Sequence, residues 1–228
     1  WLTLELFSGQ GVRTRRAMGL LTAALMAVSF WHVAISRYGF RAISQPLLQT
    51  LMLLFMWRGL RRGGWPNLVL GGIFTGATAY TYLSSRIVPL ALLPWVVGMW
   101  LISEDRRRMA GRILLFGLTA AVVVAPLGIF FLRHPDAFSA RMDQVSLLNP
   151  DLNEGNVWRT LWRGVGAGFG MFTVRGDPQS RFGLIGRPVF DPLVGFFFYV
   201  GVVYALWRVV RSRRPQDRVL YLSLLLWI

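Results

Sequence analysis

Three short clusters of hydroxyl, imidazole and guanidinium side chains interrupt an otherwise apolar chain. The first lies in SFWHVAISRYGFRAISQP and carries His32, Ser36, Arg37 and Arg41. A guanidinium presents a planar fork of N–H donors that matches a phosphate edge. Arg37 and Arg41 therefore fit a lipid phosphate or pyrophosphate. The plainer alternative is a pair of arginines snorkelling to ordinary headgroups, with His32 packed and hydrogen-bonded. The second cluster, YTYLSSRIVP, holds Tyr80, Tyr82, Ser84, Ser85 and Arg86. Its hydroxyls suit a sugar or phosphate and Arg86 adds charge; its plainer reading is an aromatic belt with one anchor. The third, RGDPQSRFGLIGRPVFDP, contains Arg175, Asp177, Arg181, Arg187 and Asp191. Alternating signs predict ion pairs that shape a loop, which could form part of an acceptor or headgroup cleft.

Other chemistries lack their residues. The absence of cysteine excludes disulfides, thiolate metal sites and a Cys nucleophile. No Walker loop, GxGxxG, HExxH or GxSxG occurs. The two histidines and the scattered carboxylates show no metal-ligand spacing, so no metal site is assigned. No long apolar helix carries a buried acidic residue, which disfavours a proton-coupled transporter or pump.

The elements that must position these clusters are membrane helices. Only 15% of the residues are charged, against about 25% in soluble proteins. Apolar segments at about 17–35, 43–59, 66–84, 87–103, 113–132 and 189–207 approach the ~20 residues that cross a bilayer, and most lack internal charge. They predict an all-α, polytopic transmembrane bundle of six complete helices. A seventh, 219–228, stops at about half the length of a span. Together with Trp1 at the start, it makes the chain read as an internal fragment, a single membrane domain.

Every basic residue is arginine, and the net charge is +15. Fifteen of the 25 arginines fall in four short alternate stretches, around 13–16, 58–62, 106–112 and 208–218. The positive-inside rule assigns these to the cytoplasm. The N-terminal end is then cytoplasmic, loop 133–188 lies outside, and the membrane is the plasma (inner) membrane. Nucleic acid is not an expected partner, because the arginine clusters are short loops between membrane helices. Most of the charge is a topology signal. The remainder on the outer face is what a lipid phosphate would need.

The outer loop is longer than a plain connection. In 156–172, NVWRTLWRGVGAGFGMF, residues Val157, Trp158, Leu161, Trp162, Val165 and Phe169 share one helical face beside Arg159 and Arg163. This predicts a helix lying in the membrane interface, weakened by glycines in its second half. A second candidate helix covers 136–149.

Taken in order, FWHVAISRYGFRA, MWRGLRRGGW, GATAYTYLSSRIVP and RGDPQSRFGLIGRPVFDP resemble the multi-pass GT-C glycosyltransferases. The resemblance is to the bacterial family 39 group, related to dolichyl-phosphate-mannose–protein mannosyltransferases and to the lipid A aminoarabinose transferase. It implies a sugar donor on a polyprenyl phosphate and transfer, on the outer side of the membrane, to a protein or glycolipid acceptor. It implies Arg37, Arg41 and Arg86, with His32, as the lipid-phosphate group. Ser36, Tyr80, Tyr82, Asp177, Arg181 and Asp191 would line the donor or acceptor cleft. The family's catalytic aspartate would lie upstream of Trp1. Many relatives carry an acid just after the Ser-Arg turn; here the stretch is Arg41-Ala42-Ile43-Ser44. The implied displacement is thus either metal-independent or assisted by a divalent metal. A non-enzymatic flippase or transporter of a lipid-linked sugar is the alternative.

Overall fold

In the computed structural model the described residues are 1–39, 41–138, 155–176 and 185–227. They are helical, with no strand among them. In chain order the helices are α1 (Leu2–Leu6), α2 (Val12–Val28), α3 (Phe30–Tyr38), α4 (Ser44–Arg62), α5 (Trp65–Thr78), α6 (Val88–Leu101) and α7 (Arg106–Arg133). They continue as α8 (Val157–Thr173), α9 (Pro192–Arg211) and α10 (Pro215–Leu226). Short 3-10 turns cover Arg41–Ile43 and Leu83–Ile87. Most of the candidate helix at 136–149 lies outside the described residues, as do Asp177 and Arg181.

Among the described residues, three helical stretches are long and apolar enough to cross a membrane: Leu83–Leu101, Arg106–Arg133 and Pro192–Arg211. Taking α2 and α3 as one broken span adds a fourth. Their flanks expose large apolar side chains, among them Val122 at 71% and Val203 at 65%. Water-soluble monomers rarely expose contiguous apolar surface on this scale, which fits helices that could span a membrane.

The boundaries differ from the apolar pattern for local reasons. The expected first span breaks at Ser29, whose carbonyl accepts from the Val33 N–H and starts α3. The expected third stops at Thr78, giving 14 residues, about 21 Å at 1.5 Å per residue. There the Thr78 and Thr81 hydroxyls bond to the carbonyls of Thr75 and Thr78 and offer the backbone an alternative to the helix. Helix α4 has the length of a span, but Gln45 and Gln49 open it and Arg58, Arg61 and Arg62 close it. The second half of α8 is helical despite its glycines.

The residues form two compact units. The first comprises 1–28, 39–124 and 198–228. Its centre is the α4–α5 hairpin, where Met52, Leu53, Met56, Trp57 and Leu60 bury one face of α4. Leu68 of α5, Val88, Leu92, Trp95 and Met99 of α6, and Phe116 of α7 belong to the same core. Trp57 and Trp95 meet edge to face at 5.4 Å, an arrangement the ring quadrupoles favour. Small residues let α5 approach α7: a Cβ on Gly72 would lie 2.6 Å from the Phe116 carbonyl oxygen, and one on Gly76 would lie 2.6 Å from Val123 Cβ. This is the small-xxx-small packing that membrane helices use in place of a hydrophobic driving force.

Ion pairs also tie elements of this unit together. Glu5 is buried on α1; its Oε2 accepts from Arg58 Nε at 3.0 Å. Arg62 Nη2 approaches Oε1 at 2.7 Å, an ion pair without hydrogen-bond alignment. At the α9–α10 turn, Arg208 pairs with Asp217 at 2.8 Å, and Ser212 donates to the same carboxylate.

The second unit comprises 29–38 and 125–197. Here the end of α8 docks on the segment before α9. Val189 N–H donates to the Met171 carbonyl, Phe190 N–H to that of Phe172, and the two phenylalanine rings stack at 5.8 Å.

Candidate functional site

Within the second unit, α3 carries the Ser-Arg turn. It is anchored at its first residues, not at its polar ones. Trp31 Nε1 donates to the Pro188 carbonyl at 3.2 Å. The Arg187 guanidinium lies over the Phe30 ring, 4.1 Å from its centroid, a favourable cation–π contact. These contacts join two of the three sequence clusters across 157 residues. The anchor leaves the C-terminal half of α3 exposed, including Ser36 and Arg37. Arg37 sits in the last turn, where the helix dipole favours a cation. It makes no hydrogen bond or ion pair among the described residues.

The other expected residues of this unit have mixed positions. His32 is exposed on α3. The Ser36 hydroxyl donates to the His32 carbonyl at 2.6 Å, a back-bond that keeps it on its own helix. Asp191 is occupied with the backbone. Its Oδ1 accepts from the Leu193 and Val194 N–H groups at 3.0 and 3.1 Å and caps α9. The segment is tightly seated, since a Cβ on Gly176 would overlap the Arg187 carbonyl.

The first unit holds the remaining expected residues. Arg41 lies on the 3-10 turn 41–43, its side chain outside what the structure describes. Arg86 is half-buried on the turn 83–87 and engaged with neighbours, as is Tyr82. Ser84 Oγ donates to Gln45 Oε1 at 3.2 Å, which ties the Arg86 turn to the start of α4 just beyond Arg41. Tyr80 donates its phenol to the Val123 carbonyl at 2.8 Å, so it braces α5 against α7. The structure thus docks the first residues of α3, the helix that carries Arg37, on Arg187 and Pro188, and ties the Arg86 turn to the start of α4 beside the Arg41 turn.

Comparison with known protein families, curated proteins and solved structures returns no match to this chain.

Helix α8 presents an apolar face of its own. Asn156 caps it by accepting from the Arg159 N–H at 2.9 Å. Its Trp158 is 72% exposed, and Trp162 and Phe169 are exposed on the same face. No group of three metal-ligating side chains occurs among the described residues. Sequence reasoning missed Arg187 as the anchor of α3 and Glu5 as the partner of Arg58 and Arg62. Arg187 was visible as a charge beside Pro188, but its aromatic partner lies too far away in sequence for a local pattern to name it.

Proposed function

We propose that this chain belongs to a membrane glycosyltransferase of the GT-C type, with a polyprenyl-phosphate-linked sugar as donor. What supports the reading is the docking of α3 on Pro188 and Arg187. It joins the Ser-Arg helix to the third polar cluster and leaves Arg37 exposed and unpaired among the described residues. In the reaction, a carboxylate takes the acceptor hydroxyl proton, the hydroxyl oxygen attacks the anomeric carbon, and the polyprenyl phosphate departs. Negative charge grows on the departing phosphate, so an unspent guanidinium contributes most in the transition state. Arg37 takes that role, and Arg86 with the Arg41 turn forms a second cationic group. Tyr82 stays with the cleft, whereas Tyr80 and Asp191 act chiefly by holding helices. The α8 face lies in the outer interface, and six spans with a cytoplasmic N-terminal end complete the topology.

Arg37→Ala in the full-length protein should lower turnover of the lipid-linked donor by about 10²–10³-fold, with membrane insertion unchanged. Arg37→Lys should recover only part, because Lys lacks the planar fork. Wild-type turnover by Arg37→Ala sinks the assignment. The absence of cysteine makes the topology testable by single introduced thiols. Thr160→Cys should react with an impermeant maleimide added outside, and Arg107→Cys should not.

A further inference from the structure

The first unit contains a polar cavity of about 440 Å³ at the end of the bundle that carries the α6–α7 turn. Its rim is formed by Arg61 of α4, Arg108 and Arg112 of α7, Ser103, Glu104 and Gln216. That volume lies within the range of small-molecule sites. Two of the arginines are held in advance. Arg112 Nη1 donates to the Leu60 carbonyl at 2.9 Å, and its guanidinium rests on Gly63. Gly63, at φ 78° and ψ −165°, occupies a backbone region essentially closed to other residues; a Cβ there would come within 2.8 Å of Arg112 Nη2. Arg61 Nη1 donates to Ser8 Oγ at 2.6 Å, and its Cζ lies 5.4 Å from the Trp57 ring centroid. Each of these guanidiniums spends one of its five N–H donors on protein acceptors. Arg108 is exposed and leans on Asp105.

Three lining arginines against Glu104 and Asp105 leave the cavity cationic. A carboxylate would be satisfied by one guanidinium fork. Two forks, fixed on different helices around one cavity, suit a tetrahedral anion with oxygens to share between them. The geometry points to a phosphate-binding site here, held by Arg61 and Arg112, that takes the phosphate of a membrane phospholipid or a free phosphate. It is independent of the glycosyl-transfer reading, which uses other residues, and each can fail without the other.

The test uses the full-length protein in nanodiscs of phosphatidylcholine alone or phosphatidylcholine mixed with phosphatidylglycerol. Native mass spectrometry after release into detergent counts retained phosphatidylglycerol, and inorganic phosphate is titrated separately as a competitor and as a ligand. Arg61→Gln and Arg112→Gln should each weaken retention or phosphate affinity about tenfold, while Arg107→Gln, on the same helix but off the cavity, should not. Retention that phosphate does not displace assigns the lipid source; phosphate binding without lipid retention assigns the soluble one. Either supports the site. Equal behaviour of all three variants and wild type, or binding of neither probe, overturns it. Should Arg112→Gln melt early because it uncaps α4, Arg61→Gln, which breaks no backbone contact, decides alone.

Discussion

Replacing Gly72 by alanine should destabilise the protein although the same change elsewhere in a helix helps. In an unobstructed helix, Gly→Ala gains about 1 kcal/mol, because alanine has less backbone freedom to lose. At Gly72 the new Cβ would sit 2.6 Å from the Phe116 carbonyl oxygen and 2.7 Å from Thr119 Cβ, where ordinary contact begins at 3.4 Å. Both obstacles belong to α7, and one is backbone, so no side-chain rotation clears them. The helices must part by several tenths of an ångström. A gap of about 0.5–1 Å forfeits a quarter to a half of each dispersion contact, and the loss extends along the seam to Gly76 and Val123. Overpacking of this kind costs about 1–3 kcal/mol, which exceeds the propensity gain. Gly117 supplies the control: it is on α7, and nothing lies within 4 Å of its Cβ position. Equilibrium unfolding in mixed micelles, followed by tryptophan fluorescence, should place Gly72→Ala below wild type and Gly117→Ala at or above it. If Gly72→Ala equals or exceeds Gly117→Ala in stability, the α5–α7 seam is not packed as described.

Three further outcomes use the same unfolding assay or hydrogen exchange. Glu5→Gln should cost about 1–2 kcal/mol; the pair is buried on the Glu5 side, but Arg58 at 34% and Arg62 at 60% side-chain exposure can rehydrate. Arg62→Gln should cost under about 1 kcal/mol, so an equal loss in both variants contradicts the assignment of Glu5 as the buried member. Asp191→Ala should lose about 1 kcal/mol by uncapping α9, and Asp191→Asn should keep most of it; an Asn variant as unstable as the Ala variant refutes the cap. Trp31→Phe removes the bond to Pro188 and should cost about 1 kcal/mol, seen as faster amide exchange at 189–190 with α4 and α5 unaffected. Unchanged exchange there refutes the docking of α3.

Much of the helical architecture was legible because helix and lipid both leave local marks. Runs of apolar residues marked α6, α7 and α9, and the spacing of Trp158, Trp162 and Phe169 marked the exposed face of α8. The boundaries were less legible. Ser29 and the threonines at 75, 78 and 81 end or restart helices through hydroxyl and carbonyl bonds that hydropathy does not register. The polar clusters were found by residue type, yet type could not say which polar atoms the fold consumes. Asp191 and Tyr80 read as site residues until their oxygens were accounted for.

The sequence alone determined that the described residues are helical and that several of the helices are apolar enough to cross a membrane, since composition and short-range periodicity are properties of each segment by itself. It also sorted the arginines into runs and exceptions. Only the tertiary structure decided what each arginine does. Arg58 and Arg62 serve a buried glutamate, Arg61 and Arg112 line one cavity, and Arg187 holds the α3 helix that displays Arg37. A guanidinium's role is fixed by the acceptor or ring within a few ångströms of it. For Arg187 that partner lies more than a hundred residues away in the chain, where no periodic pattern reaches.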